Sequence, residues 1–563
     1  MSNHGPDECR NRALAAERSG DLDRARQIFA DGIAAFPDHG ALANSAANLA
    51  MRIGEFELAE RQFAHASSLD PENLEFSLNQ AIAFARLDRH LQANAVLRRI
   101  ENQGRQSAKY CAARGAAERS LGNPGMAADW YARALALDPL HLLALHGRAR
   151  LAIERGDNAA VQHFDAALAA NPGDPNLWLG KAQALDVAGD FAGAREIAQA
   201  LVDQAPGWTE GLRFLAQLRL GAGDPDFADH YATAARRTPG DPNIPLAWIE
   251  LLAGNDRFSQ AADVAADARI RFPNEEVFAL HEAVNCGCAG DDDRAESLFA
   301  AMRLDTAVRH LQESRHRIRR GELDLAEGLL GQTLHSERWN VSAHALLGII
   351  WRMIGDARAQ DLHGQAGLVR LMPLAGSAET LTEVVPLLHA LHDSSPLPLG
   401  QSLRGGTQTR GVLFDRMEPE LGKLRAALLE TIEQYRAGLP EADAAHPLLR
   451  HRGRAWQLAG SWSVRLIGGG DFHTSHIHPQ GIVSSALYLE TPETLDTGSH
   501  SGWLEIGRPP PDLRLDLPPL QLIEPQPGHL ALFPSTLYHG TRPFPDGQRM
   551  TVAFDVTPAD QGP

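Results

Sequence analysis

The sequence has little of three features that mark particular classes of protein. Its 563 residues include only four cysteines, at Cys9, Cys111, Cys286 and Cys288, too few and too scattered for a disulfide framework and typical of a reducing compartment. No stretch approaches the roughly 18 consecutive apolar residues that a membrane-spanning helix requires. Lys and Arg number 53 against 71 for Asp and Glu, a net charge of −18, whereas nucleic-acid binding needs a basic surface. We therefore expect neither membrane insertion nor nucleic-acid binding.

Two smaller features concern the N-terminal residues and the one close pair of cysteines. The first residues, MSNHGPDECRNR, are polar and lack the apolar stretch of a signal peptide, so we expect a cytoplasmic protein. Cys286 and Cys288 form a CxC pair, but no other cysteine lies nearby to complete a zinc site. We interpret these two cysteines as small residues packed within a helix.

A periodic pattern of glycine and proline runs through the first two-thirds of the sequence. Successive glycines are separated by about 34 residues or twice that distance, and Asp88 and Asp256 occupy the two positions where the glycine is missing. A series of prolines keeps the same phase. The glycines are Gly20, Gly54, Gly122, Gly156, Gly189, Gly223, Gly290, Gly321 and Gly355, and the prolines are Pro37, Pro71, Pro139, Pro172, Pro206, Pro239, Pro273 and Pro373.

Each series has a mechanical reason in an array of short helices. Glycine or aspartate suits the tight turn between two helices, where a left-handed residue is often needed. Proline cannot continue a helix interior and therefore marks the stop before the next helix pair. In GEFELAERQFAHASSLDP, Ala59, Phe63 and Ala66 fall on one helical face, where alanine allows neighbouring helices to approach closely. The pattern predicts about ten helix-turn-helix pairs.

This pattern of Gly, Ala, aromatic, Ala and Pro resembles the tetratricopeptide family, and the resemblance covers roughly residues 10–373. It implies a superhelical array whose concave face holds a peptide or protein partner. A scaffold or an oligomerisation surface is the alternative, and the residues do not distinguish the two.

The pattern changes near residue 374. Residues 374–394 read as one more helix, a linker or cap, and are followed by a glycine-rich stretch over 401–411 and an amphipathic helix near 418–439. After Trp456 the period becomes two, and short strand candidates at 482–489, 502–506, 529–533 and 550–556 are separated by Pro/Gly-rich turns. Strands so spaced predict a sandwich or jelly roll.

Three histidines and an arginine form the most informative pattern of this second region. In a strand, residues two apart project from the same face, so His476 and His478 can point together into a barrel. His539 follows another strand and can approach the same point, and Arg549 opens the last strand with Thr551 on its face. The spacing predicts a metal site beside a cation that binds a carboxylate.

These motifs resemble a bacterial and phage group of Fe(II)/2-oxoglutarate-dependent oxygenases with an HxHP segment. The resemblance runs from SLRGGTQT through HIHP and FPSTLYHG to QRMTVAF, or about residues 395–557. It implies a double-stranded β-helix (jelly-roll) domain with supporting helices that uses Fe(II), 2-oxoglutarate and dioxygen. By position, it makes His476 the first metal ligand, His539 the distal ligand, and Arg549 the anchor of the cosubstrate's far carboxylate. Thr551 matches the Ser/Thr that often follows that arginine.

His478 departs from the family pattern, because a carboxylate usually stands at its position. A neutral imidazole there leaves the site one charge more positive. Three interpretations remain open. His478 completes a three-histidine site; or His476 and His539 bind the metal with water or another carboxylate; or the site holds little metal. We favour the first, since the same-face geometry is right.

Neighbouring residues receive weaker assignments. Tyr488, on the strand after the HxH segment, is a candidate cosubstrate contact, with core packing as the other interpretation. Asp471 reads as a turn residue that could substitute as the carboxylate. His473 and His529 read as surface or hydrogen-bonded histidines. By the resemblance, the mouth of the active site is shaped by Arg404, Gln408 and Thr409.

Taken together, these observations predict an oxidoreductase, a 2-oxoglutarate-dependent dioxygenase that hydroxylates a protein or peptide side chain, with the array as its docking surface. One alternative is a non-catalytic tetratricopeptide adaptor whose β domain is a cupin-like binding module. The other is an oxygenase that acts on a small molecule.

Overall fold

A computed structural model describes residues 5–393, 395, 402–492 and 498–559 of the chain. These residues form two compact units, one up to Lys181 and the other from Ala182 onward. The boundary falls inside a repeat helix, α12 (Pro175–Val187), and thus does not coincide with the change from repeats to β-strands. Within the described ranges, none of the helices combines the length and apolar composition needed to cross a membrane.

The first unit consists of short helices packed in antiparallel pairs, such as α1 with α2 and α8 with α9. The helices that precede α12 are α1 (Pro6–Arg18), α2 (Leu22–Ala35), α3 (Gly40–Arg52), α4 (Phe56–Leu69), α5 (Leu74–Arg86), α6 (His90–Arg99), α7 (Glu101–Gly104), α8 (Ala108–Ser120), α9 (Pro124–Leu137), α10 (Leu142–Arg155) and α11 (Ala160–Ala170).

The second unit begins with more helices of the same kind. They are α13 (Phe191–Gln204), α14 (Thr209–Gly221), α15 (His230–Arg237), α16 (Asn243–Ala253), α17 (Phe258–Arg271), α18 (Val277–Ala289), α19 (Asp292–Ala301), α20 (Ala307–Arg319), α21 (Leu323–Ser336) and α22 (Val341–Ile354).

The turns within the helix pairs have the backbone conformation that the glycine series predicts. All nine glycines have φ between 68° and 98°, the left-handed region that favours residues without a Cβ. Asp88 and Asp256, at the two positions without glycine, have φ of 56° and 59°. An aspartate tolerates this region better than most residues, because its short side chain can bond to the local backbone. The helix-turn-helix interpretation of the glycine series is therefore confirmed.

Alanine and aromatic side chains fill the space between the helices. Ala59, Phe63 and Ala66 are all buried, as their spacing on one helical face predicts. The backbone at Gly180 lies so close to the ring of Phe164 that a Cβ at this position would collide with it. Small residues on one helix thus leave space for the large aromatic rings of its neighbour.

The β domain is antiparallel throughout its described strand pairs. A six-stranded sheet has the order β1-β9-β6-β11-β4-β3, a three-stranded sheet has the order β10-β7-β8, and β2 pairs with β5. The strands are β1 (Arg370–Pro373), β2 (Leu403–Arg404), β3 (Thr407–Gln408), β4 (Trp456–Ile467), β5 (Phe472–His473), β6 (Val483–Glu490), β7 (Leu504–Ile506), β8 (Gln521–Ile523), β9 (His529–Pro534), β10 (His539–Thr541) and β11 (Gln548–Pro558). The predicted fold class, repeat helices followed by a jelly-roll-like domain, is confirmed.

Two long helices pack on the six-stranded sheet. α23 (Ser377–Asp393) contributes Val384 and Leu388, and α24 (Pro419–Ala437) contributes Leu424 and Leu428, to one apolar core shared with β4, β6, β9 and β11. The helix over 374–394 is therefore part of the β domain's core as well as the connection to it.

The end of the predicted array also differs from the structure. The last repeat helix ends at Ile354, and residues 370–373, the last of the predicted range 10–373, form strand β1. They pair with His529–Leu532 of β9, antiparallel, at the edge of the large sheet. Pro373 suits this position, because proline is tolerated in edge strands. Its agreement with the proline series is therefore a coincidence of phase.

Candidate functional site

A short antiparallel bridge brings the HxH segment and the distal histidine together. His476 N donates to His539 O over 3.0 Å, and His539 N donates to His476 O over 2.9 Å. His476 follows β5 and precedes β6 of the large sheet, whereas His539 opens β10 of the small sheet. The bridge therefore fixes two side chains from segments far apart in sequence at one point between the sheets.

The three predicted histidines converge at this bridge. One ring nitrogen of each of His476, His478 and His539 lies within 4.8 Å of the other two. The Nε2 atoms of His476 and His478 are 3.0 Å apart, and the ring centroids of His476 and His539 are 4.3 Å apart. Both members of the HxH pair point the same way, as residues two apart in an extended segment do.

The opposite ring nitrogens of these histidines fix their protonation. His476 Nδ1 lies 2.8 Å from the carbonyl oxygen of Thr474, and His539 Nδ1 lies 3.2 Å from that of Leu537. A carbonyl only accepts, so each Nδ1 carries the proton and each Nε2 presents a lone pair. Burial, with a contribution from His478, lowers the pKa of His476 to about 3, and burial holds the pKa of His539 well below its usual value. Three Nε2 atoms that converge with their lone pairs free form a donor set suited to a divalent cation.

Asp555 completes this arrangement, although the sequence pattern did not single it out. Its Oδ1 lies 2.5 Å from His478 Nδ1, and both side chains are mostly buried. A carboxylate behind the ring holds the proton on Nδ1, orients Nε2 and makes the imidazole a stronger donor to a metal. A signal was present, because Asp555 lies an even number of residues after Arg549 on the same strand. The negative charge that a carboxylate in place of His478 would bring is thus carried by Asp555, which lies behind His478.

The histidines open onto a cavity of about 440 Å³. Strand β11 supplies one wall by strict alternation: Arg549, Thr551, Ala553 and Asp555 line the cavity. The intervening residues of β11 are buried in the apolar core beneath α23 and α24; they are Met550, Val552, Phe554 and Val556.

Arg549 is a buried cation without an acidic partner. Its side chain is 3% exposed, Nη1 donates to Thr541 Oγ1 over 2.7 Å, and Nε has no hydrogen-bond partner among the described residues. The ion pairs of the described chain include none with Arg549. Burial lowers the pKa of Arg549 below its usual value. Since an unpaired buried charge costs several kcal/mol, this position is built for an anion.

Tyr488 lies behind the arginine. Its ring centroid is 5.3 Å from the guanidinium carbon of Arg549, so the phenol packs directly against the buried cation. Burial raises the pKa of the phenol, and the charge of Arg549 opposes that shift. Tyr488 belongs to an apolar cluster and does not line the cavity, whereas Thr551, its partner across the strand pair, does.

The glycine-rich stretch contributes unevenly to the site. Gln408 lines the cavity, as do Ser402 and His473. Thr409 instead bonds to the backbone of β4, and Arg404 forms an ion pair with Asp256 of the array.

Two other residues singled out from the sequence lie outside the cavity. Asp471 accepts from Ile467 N over 2.9 Å and is a turn residue rather than a substitute ligand. His529 lies at the start of β9, where its Nδ1 is 3.3 Å from the carbonyl oxygen of Pro527.

The comparisons with protein families agree with this division of the chain. Residues 460–555 match the family described as "Putative 2OG-Fe(II) oxygenase", and residues 44–108 and 158–218 match families described as "Tetratricopeptide repeat". The chain therefore carries tetratricopeptide repeats followed by a C-terminal domain of that oxygenase type. The match to the oxygenase family contains His476, His478, His539, Arg549 and Asp555.

Protein FlbA of Caulobacter vibrioides is 29% identical to this chain over 164 residues, 29% of this chain and 27% of FlbA. The chain thus spans about a quarter of the length of this curated relative. Among solved structures, the pilus biogenesis factor PilW matches with 18% identity and a TM-score of 0.34, over 36% of this chain and 94% of its own. Yeast Tom70 matches with 14% identity and a TM-score of 0.33, over 59% of this chain and 85% of its own.

Proposed function

We propose that this protein is an Fe(II)/2-oxoglutarate-dependent dioxygenase that hydroxylates a side chain of a protein or peptide. One observation carries the proposal. Three imidazole Nε2 lone pairs and a buried guanidinium without a counter-ion face the same cavity. A metal with an adjoining carboxylate ligand satisfies both groups at once.

The donor set fits a divalent iron ion. His476, His478 and His539 would hold it through Nε2, and imidazole suits iron as a ligand. The family usually supplies two histidines and a carboxylate, and here Asp555 supplies the negative charge through His478. When bound, Fe(II) would supply the activation of dioxygen and of the cosubstrate.

Arg549 is the residue that would hold the far carboxylate of 2-oxoglutarate. Its guanidinium offers a planar pair of donors that matches a carboxylate, and its Nε is still unsatisfied. The bond to Thr541 and the ring of Tyr488 hold the guanidinium in position. Thr551 offers a hydroxyl on the same face of β11. Tyr488 therefore acts on the cosubstrate through Arg549 in this proposal.

A cosubstrate and substrate that fill the cavity would displace water from the apolar side chains that line part of it. Trp462, Val464 and Leu504 line it, and Phe533 packs edge-on against His539 with 4.7 Å between ring centroids. Excluding water strengthens the electrostatic contacts of the cosubstrate and protects reactive species from side reactions.

A macromolecular substrate is supported by the attached repeats, since tetratricopeptide arrays generally bind other proteins. In this proposal the array is the surface that docks the substrate protein. The four cysteines form no disulfides, which supports a reducing compartment, and we place the protein in the cytoplasm.

The test is cosubstrate turnover by the full-length protein. Protein purified anaerobically and supplied with Fe(II), 2-oxoglutarate and dioxygen should release succinate, the product of oxidative decarboxylation of the cosubstrate. His539→Ala should abolish this release. Thr541→Val, which keeps the metal ligands, should retain part of it. Wild-type protein that binds iron but neither binds nor consumes 2-oxoglutarate would support the non-catalytic module instead.

A further inference from the structure

The segments that carry the metal ligands lie directly against the last helices of the repeat array. Ile477, between the two histidines of the HxH pair, and Tyr538, immediately before His539, belong to one apolar cluster. The same cluster contains Ile318 of α20 and Leu346 of α22. Ile477 also lines the cavity, whereas Tyr538 does not. Because residues alternate along an extended segment, Tyr538 turns toward the array while His539 turns toward the cavity.

Polar contacts reinforce this packing at the distal ligand. Arg315 of α20 donates from Nη1 to the hydroxyl of Tyr538 over 3.0 Å. The same guanidinium makes a bidentate ion pair with Asp512, with Nη2 2.6 Å and 2.7 Å from the two carboxylate oxygens. Because Asp512 holds the planar guanidinium of Arg315, only Nη1 is left to bond to Tyr538. The direction of that hydrogen bond is therefore fixed.

Two further contacts hold the chain at Thr536 and at the backbone of Tyr538. His363, just after the repeats, lies with Nε2 3.0 Å from Thr536 Oγ1 in a buried contact. Arg352 of α22 bonds to the carbonyl oxygen of Gly507, whose own N–H donates to Tyr538 O over 2.6 Å. The loop that precedes His539 is therefore bonded directly to the array or its connection at Thr536 and Tyr538, and Tyr538 is also linked to α22 through Gly507.

We propose that α20 and α22 form the rear wall of the metal site, and that Arg315 is a positioning residue that fixes the distal ligand His539 through Tyr538. The inference rests on the proposed function, because it takes His539 to be a ligand. It deepens that function in one respect: the array that docks the substrate also sets the geometry of the metal. The β domain by itself would lack this wall.

Two variants of the full-length protein test the inference with Co²⁺ as the metal probe. Tyr538→Phe removes only the hydroxyl that Arg315 holds, and Arg315→Met removes both of its polar contacts while keeping a long side chain. Since partners behind a metal ligand typically change metal affinity 10- to 100-fold, we expect each variant to raise the Kd of Co²⁺ on the order of fivefold, one contact further out. We also expect a shift of the visible d–d bands, which report the ligand geometry.

Asp292→Asn is the matched control. Asp292 of α19 pairs with Arg514, two residues after Asp512, at 2.6 Å in a partly exposed ion pair, and no contact of the described residues joins it to Tyr538 or to the ligands. The control should leave both the Kd and the spectrum unchanged. Variants that melt earlier but bind Co²⁺ with the wild-type Kd and spectrum would overturn the positioning role and leave the proposed function intact. Wild-type protein that binds no Co²⁺ would overturn the proposed function and, with it, this inference.

Discussion

The strongest prediction concerns Arg549, whose replacement by methionine should have opposite effects on stability and on cosubstrate binding. The guanidinium is 3% exposed, lacks an acidic partner among the described residues and leaves Nε unsatisfied. Replacing buried charged groups with apolar residues of similar volume is often neutral or stabilising by about 1–4 kcal/mol. The lost bond to Thr541 offsets about 1 kcal/mol of this. We therefore expect Arg549→Met to raise the free energy of unfolding of the ligand-free protein by about 1–2 kcal/mol.

The same substitution should sharply weaken 2-oxoglutarate binding. Truncating one partner of a buried charge pair costs about 2–5 kcal/mol of binding free energy. The Kd for 2-oxoglutarate should therefore rise at least about 30-fold, since each 1.4 kcal/mol is a factor of ten. Metal affinity should change little, because Arg549 contacts none of the three histidines. Calorimetric titration of the metal-loaded protein measures the Kd, and urea unfolding of the ligand-free protein measures the stability.

Arg542→Met provides the control on the neighbouring segment. Arg542 is partly exposed and pairs with Glu505 at 2.7 Å, so its loss should lower stability slightly and leave cosubstrate affinity unchanged. If Arg549→Met destabilises the ligand-free protein as Arg542→Met does and binds 2-oxoglutarate normally, Arg549 is a structural residue and the reasoning fails.

Three further substitutions test other parts of the molecule. Asp555→Asn keeps an acceptor for His478 but removes the charge, so Co²⁺ affinity should fall about tenfold; an unchanged Kd would mean that the carboxylate has no role. Burial, reinforced by nearby cations, lowers the pKa of His392 to about 3. Below pH 6.5 the histidine of the unfolded chain takes up a proton, whereas that of the folded protein stays neutral. The free energy of unfolding therefore falls as the pH is lowered from 6.5 toward 3. His392→Gln should therefore reduce the slope of unfolding free energy against pH between 6 and 4 by up to about 1.4 kcal/mol per pH unit, and an identical acid limb would contradict the shift. Glu118→Ala should cost about 3–5 kcal/mol in chemical unfolding because it leaves Arg114 buried and unpaired, whereas the double replacement with Arg114→Met should recover much of the loss.

The sequence predicted what depends on local period and turn chemistry. The glycine series located the turns of the array, and even Asp88 and Asp256 have the left-handed conformation expected of them. Alternation in β11 placed Arg549 and Thr551 on one face, and the HxH spacing placed His476 and His478 together. Alternation in strands has a period of two residues and the repeats have a period of about 34 residues, so both can be recognised in the sequence.

The features that sequence reasoning missed depend on contacts between distant segments. Asp555 was missed because alternation along β11 places it on the same face as Arg549 but does not indicate that it stands behind His478. The bond from Arg315 to Tyr538 joins a repeat helix to the β domain, and neither residue stands out from its neighbours. From the sequence, the residues of strand β1 were assigned to the repeat array, because Pro373 fits the spacing of the proline series.

Strand β1 also affects how the β domain can fold. It covers the outer edge of β9, whose unpaired backbone groups would otherwise offer a template for pairing with another chain. Its residues are synthesised well before those of β9, because β1 ends at Pro373 and β9 begins at His529. The large sheet therefore closes only after a pairing of high sequence separation, which is the slow kind of step in folding. Until then β9 has an open edge, and a β domain expressed from a start after residue 373 would keep that edge open permanently, which makes aggregation its expected behaviour.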